Sequence, residues 1–65
     1  MDWLKLGQTL KNEREKRGLS QKKVADLVGL SVSLISQLEN GLKKTNIEAL
    51  IKICKLFDVD LMEWI

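Results

Sequence analysis

Sixty-five residues, 45% hydrophobic and 31% charged, make one small globular domain over residues 1–65, and such a chain buries only roughly 60% of the surface its unfolded form exposes. With no histidine and a single cysteine, Cys54, the chain excludes an intramolecular disulfide and a zinc site of the usual Cys/His kind. The formal charge is only +2, no apolar run approaches the ~18 residues of a membrane span, and no charged head precedes an apolar stretch as in a signal peptide.

A cytoplasmic protein with Cys54 reduced is therefore expected, with no cofactor, no membrane association and no evident small-molecule ligand. The absence of proline and of any sustained alternation of apolar and polar residues points to helices. The first is predicted over Asp2–Arg17, favoured at its start by Asp2 and stopped by Gly18, with Leu6 and Leu10 four apart on its inner face. Lys16 and Arg17 fall in its last turn, where positive charge suits the helix dipole. Ser20 then caps a second helix, Gln21–Val28, with Val24, Ala25 and Val28 as its apolar stripe and Gly29 as its stop.

Leu30 and Ser31 form a short turn, and Ser31 caps a third helix, Val32–Asn40, closed by Asn40-Gly41. Thr45-x-x-Glu48 reads as a capping box that opens a fourth helix. Its buried face is expected to carry Ile47, Leu50, Ile51, Cys54 and Phe57. Asp58-Val59-Asp60 breaks it, and Asp60 caps a short fifth helix bearing Leu61, Trp64 and Ile65. Trp64 has the spacing from Leu61 to join the core. The expected fold is an all-α, compact five-helix bundle.

Two helices joined by the short turn Gly29-Leu30-Ser31 must cross steeply, which lets the first brace a DNA backbone while the second enters a groove about 12 Å wide. On a wheel of about 100° per residue with Ile35 at zero, Leu38 falls near 300° and Ser31 near 320°, the core side. Ser33, Ser36, Gln37 and Asn40 fall between about 100° and 200°, on the opposite side. That face is short, polar and uncharged. Its hydroxyls and amides both donate and accept, which suits base edges; a merely solvated polar face has the same composition. Leu34, between the two sides, is expected to pack under the second helix.

Glu39 falls near 40°, on the flank of the core, where an unpaired carboxylate is costly. Arg14 on the first helix is its expected partner; the alternative is an exposed glutamate with none. Charge is unevenly spread as well. All eleven Lys and Arg lie between Lys5 and Lys55, while Asp58, Asp60 and Glu63 stand in an acidic tail with no base. The first 57 residues thus hold eleven bases against six acids, net +5, which suits a nucleic-acid face, although such asymmetry also arises incidentally.

These residues, taken together, resemble the lambda-repressor-like or Cro-type helix-turn-helix family, also called the xenobiotic-response-element family. The likeness rests on Leu6-x3-Leu10-x3-Arg14, Gly18-Leu19-Ser20-Gln21, Val24-Ala25-x2-Val28-Gly29-Leu30-Ser31 and Ile35-Ser36-Gln37-Leu38-Glu39-Asn40-Gly41. The tail Leu50-x2-Ile53-Cys54-x2-Phe57-x-Val59-x-Leu61 matches too, so Leu6 to Ile65 is covered. The resemblance implies the same Arg14–Glu39 bridge. It also implies that Gln21 bonds a DNA phosphate at a helix N-terminus, and that Asn40, Lys43 and Lys44 hold the backbone across the groove.

Base readout then falls to Val32, Ser33, Ser36 and Gln37, with Gln37 able to pair bidentately with adenine and Val32 to touch a thymine methyl. Many family members carry Gln, Arg or Lys where this chain has Val32 and Ser33, so readout of DNA shape is expected to contribute. Met62 and Ile65 would face outward near the chain end, where relatives form their two-fold interface; Trp3 and Leu4 could extend that patch, or both ends could simply fray. The expectation is a sequence-specific regulator, a repressor, that binds a pseudo-palindromic double-stranded DNA operator as a homodimer. Two other classes fit the same residues: an antitoxin that binds DNA and a toxin, and an interaction module that has lost DNA binding. An enzyme does not fit, since histidine and a glycine-rich loop ahead of a helix are lacking and Cys54 lies on an apolar stripe.

Overall fold

A computed structural model describes residues 2–42 and 46–64 of the chain. Every α-helix in it opens on a short polar side chain that takes an amide hydrogen left unpaired in the first turn. Asp2 accepts from the Lys5 amide at 3.0 Å and opens α1 (Trp3–Lys16). Ser20 accepts from Lys23 at 3.0 Å and opens α2 (Gln21–Val28), and Ser31 accepts from Leu34 at 3.1 Å and opens α3 (Val32–Glu39). Asn46 accepts from Glu48 at 2.8 Å and opens α4 (Ile47–Leu56). Caps of this kind contribute typically about 1 kcal/mol each.

The structure departs from the sequence expectations at several points. Four α-helices are present among the described residues; the expected fifth is a single 3₁₀ turn, Leu61–Trp64. Its bonds run from the Met62 amide to the Asp60 side chain and from the Glu63 amide to the Asp60 carbonyl, at 3.0 and 3.2 Å. One turn is too short to recover the cost of nucleating an α-helix, and the tighter closure serves in its place. The cap of α4 is Asn46, two residues ahead of Glu48; Thr45, expected to cap it, lies outside the described residues. Asn40 is the residue after α3 rather than its last turn, and Ser31 is exposed as a cap rather than turned to the core.

The stripe on α4 is also shifted. Leu50, Ile53, Cys54 and Phe57 are buried, together with Ala49, while Ile47 and Ile51 are 52% and 39% exposed. Ile51 sits about 100° around the helix from Leu50, at the rim, so an apolar side chain there does not mark the core. α4 ends at Leu56, with Phe57 as the residue after it and Asp58 at φ 56°, where an aspartate takes the left-handed place more often held by glycine.

Leu6 and Leu10 of α1, Val24 and Ala25 of α2, Ile35 and Leu38 of α3, and the α4 stripe close into one core. Trp3, Leu19, Val28, Leu30, Val59, Leu61 and Trp64 pack against its edge. Each such aliphatic side chain contributes roughly 1.5–3 kcal/mol when fully buried. Cys54 is 3% exposed, and burial pushes its thiol up, so it packs as a small hydrophobe rather than a nucleophile. No helix among the described residues is long and apolar enough to cross a membrane.

α1 and α3 meet through main chain. A Cβ placed on Gly7 would meet the carbonyl oxygen of Leu38 and lie 2.9 Å from that of Glu39. Gly41, at φ 73°, has the Leu4 Cα 2.6 Å from its own Cβ position, so α1 touches both the last turn of α3 and the second residue beyond it. Replacing Gly7 by Ala sets two effects against each other. Helix propensity gains about 1 kcal/mol, while overpacking against atoms that cannot rotate away costs roughly 1–3 kcal/mol and displaces α3. The expected outcome for Gly7→Ala is a net loss near 1 kcal/mol in urea unfolding followed by circular dichroism. An unchanged or raised midpoint would mean that α1 is free to shift.

Candidate nucleic-acid interface

α2 and α3 are separated by Gly29, Leu30 and Ser31, with Gly29 at φ 70° donating its amide to the Ala25 carbonyl. This left-handed residue turns the chain sharply, and Leu30 follows, bonded to the same carbonyl at 2.9 Å and packed on the core. The turn brings Ser31 straight into its capping position, so α3 starts with almost no slack.

α3 divides cleanly by burial. Ile35 and Leu38 face the core at 2% and 3% exposure, and Leu34 is half-buried between core and solvent. Val32 and Ser33 are exposed, Ser36 and Gln37 are half-buried, and Asn40 is exposed beyond the last turn. Among the described residues, no hydrogen bond engages the side chains of Ser33 or Gln37, so a hydroxyl and an amide stand available on one helix face. Asn40 is engaged: its Nδ2 donates to the Ser36 carbonyl at 2.8 Å and lies 3.4 Å from the Ser36 Oγ. It closes the C-terminus of α3 by its own side chain, and its Oδ1 is the atom left over.

The Glu39 carboxylate is the anchor of this surface. Arg14 Nε donates to Glu39 Oε2 at 2.6 Å and Arg14 Nη2 to Oε1 at 3.1 Å, a two-point pair with side chains 11% and 6% exposed. Arg14 Nη1 donates in addition to the Leu19 carbonyl at 2.7 Å, in the connection between α1 and α2. Hydrogen bonding to Glu39 raises the Arg14 pKa above its ordinary value, against an opposing effect of burial, so the guanidinium stays charged. One arginine thus joins α1, the α1–α2 connection and α3.

Gln21, the first residue of α2, joins the same cluster. Its Nε2 donates to Glu39 Oε1 at 3.0 Å, and the side chain is half-buried. Periodicity gave no hint of this bond, since Gln21 and Glu39 lie on different helices and the wheel of each says only which side a residue faces. The contact of Arg17 with Phe57 was equally hidden: the guanidinium lies 5.0 Å from the ring centre, and Nη2 donates to the Phe57 carbonyl at 3.3 Å. Lys43 and Lys44, expected on the backbone side, and Ile65, expected at a two-fold interface, lie outside the described residues. Met62 is 73% exposed.

Comparison with known proteins agrees with this architecture. A family model described as helix-turn-helix matches residues 10–64. The ImmF control region 10 kDa protein of Bacillus phage phi105 is 33% identical over 61 residues, which is 94% of this chain and 68% of the phage protein.

The buried pair makes a specific stability test. Glu39→Ala strands a charged guanidinium in the interior and is expected to cost about 3–5 kcal/mol. The joint replacement Arg14→Met with Glu39→Met removes both charges and is expected to stay within about 1 kcal/mol of the wild type, since buried pairs exchanged for apolar residues are often neutral. Urea unfolding read by tryptophan fluorescence measures both; equal losses would show that the pair is itself the main source of stability.

Proposed function

The chain belongs to the lambda-repressor-like helix-turn-helix family of DNA-binding transcription regulators, and from that premise we propose that it is a sequence-specific repressor acting on a pseudo-palindromic operator. The observation that carries this reading is the outer face of α3, where hydroxyl and amide groups stand without charge on a helix anchored from behind by Ile35, Leu38 and Glu39. A helix in the major groove needs such groups, because base edges present both donors and acceptors. The phage relative carries the name of a control region, which supports a regulatory role here.

In this reading, the residues have separate tasks. Gln37 pairs with a base edge, Ser33 and Ser36 offer hydroxyls, and Val32, 42% exposed, meets a thymine methyl at the end of the helix. Gln21 at the start of α2, Asn40, Lys43 and Lys44 hold phosphates on the two sides of the groove and set the register. Asn40 keeps one N–H on the Ser36 carbonyl at 2.8 Å, and the second N–H of that amide is the donor to a phosphate. Two chains bind half-sites about one helical turn apart, with Met62 and Ile65 at the two-fold contact. No enzymatic step enters this function.

Selection of bound sites from a random DNA library tests the whole reading: an enriched palindrome with that spacing supports it, and no enrichment over random duplex overturns it. Within the selected site, Gln37→Ala is expected to lose about 1–3 kcal/mol of binding while affinity for random duplex hardly changes. Equal losses on both would remove Gln37 from the readers. Lys43→Ala is expected to act in the opposite manner, weakening all sequences alike and lowering the slope of log K against log salt by about one. An unaltered slope in a filter-binding salt titration would take Lys43 off the phosphates.

A further inference from the structure

We propose that Glu39 is a positioning residue for DNA binding: its carboxylate, itself aimed by Arg14, turns the Gln21 amide so that one N–H stays on Glu39 and the second donates to a phosphate. The inference rests on the reading above, in which the start of α2 lies on the DNA backbone, and adds to it the group that orients that contact.

Chemistry fixes the orientation. A carboxylate only accepts hydrogen bonds, so at the 3.0 Å separation from Glu39 Oε1 it is the Gln21 nitrogen, not the oxygen, that must face inward. A glutamine free at a helix start turns its amide either way, and with the oxygen outward it repels a phosphate. Holding the nitrogen on Glu39 selects one of these arrangements before DNA arrives, which spares the ordering cost at binding.

The anchor is stiff. Glu39 is held by two bonds from Arg14, and Arg14 by a third to the Leu19 carbonyl at 2.7 Å. Leu19 stands two residues before Gln21, so the connections run from the chain just ahead of α2, through α1 and α3, and back to the first residue of α2. The negative charge of Glu39 is met by Arg14 at 2.6 Å, which limits its repulsion of a nearby phosphate. Because Gln21 is neutral, its contact releases no counterion, and its loss should leave the salt dependence of binding as it was.

The test is a double-mutant cycle on random-sequence duplex DNA, with Gln21→Met introduced into the wild type and into the Arg14→Met/Glu39→Met chain. In the wild type, Gln21→Met is expected to weaken binding roughly tenfold, the scale of a hydrogen bond to a charged group, with an unchanged salt slope. In the second background binding is already weaker by a similar factor, and Gln21→Met adds little. Side-chain amide NMR supplies a readout that DNA does not enter. In the wild type one Gln21 Nε2 proton exchanges slowly and is displaced from its exposed-glutamine position, and in Arg14→Met/Glu39→Met both protons resonate and exchange as in an exposed glutamine. If that double variant does not fold, the wild-type amide spectrum decides alone. Equal losses from Gln21→Met in both backgrounds, or exposed-type amide protons in the wild type, overturn the positioning role and leave the DNA reading intact. A wild-type chain that fails to bind the duplex overturns the DNA reading and the positioning role together.

Discussion

Arg14 and Glu39 meet where α1, the α1–α2 connection and the last turn of α3 converge, both side chains nearly out of contact with water. A pair of charges in such a place is an expensive way to join helices, since each must give up its hydration before the attraction between them counts. What the pair supplies that leucines could not is direction. A guanidinium fork meets a carboxylate in a limited set of geometries, so the rotation of α3 about its own axis is tied to α1 as well as its distance. For a helix whose inner face packs and whose outer face is proposed to read DNA, rotation is the variable that matters most.

The same pair explains why so small a core suffices. α3 has only eight residues, of which Ile35 and Leu38 supply its fully buried apolar contacts. Two aliphatic side chains leave a short helix able to rock. Glu39 fixes one end to α1 through Arg14, and the Ser31 cap closes the first turn at the other. α3 is therefore capped at its start, packed in the middle and tied to α1 at its end, although each contribution on its own is modest.

Much of this was legible from residue order, and the limits have physical causes. α2 could be bounded at both ends because Ser20 and Gly29 have no better local use than cap and stop. The burial of Leu6, Leu10, Val24, Ile35 and Leu50 followed from helical spacing, and Glu39 was placed toward Arg14 by the angle at which it leaves α3. What spacing could not reveal is what occupies the neighbouring volume. Ile47 and Ile51 satisfy the periodicity of α4 and are still exposed, because nothing among the described residues covers them fully, whereas Ala49 is covered. Gln21 turned toward Glu39 for the same reason: its partner comes from another helix, and no one-helix projection contains both. The 3₁₀ turn at Leu61–Trp64 differs again, as the choice between two closures of one turn depends on small terms that residue type barely encodes.

The main-chain contacts of α1 with the end of α3, at Gly7 and at Gly41, have a consequence for how such a domain changes over time. The docking of α3 is carried by backbone atoms, two apolar side chains and one ion pair, none of which belongs to its outer face. Val32, Ser33 and Gln37 are therefore interchangeable parts: exchanges among them leave the docking contacts untouched, and effects on stability and on recognition are expected to separate. In the proposed DNA-reading role, a duplicated copy of this domain would reach a new target sequence through these outward positions while its folding problem stayed solved. The constraint on the fold falls instead on residues behind that face, above all a glycine on the neighbouring helix.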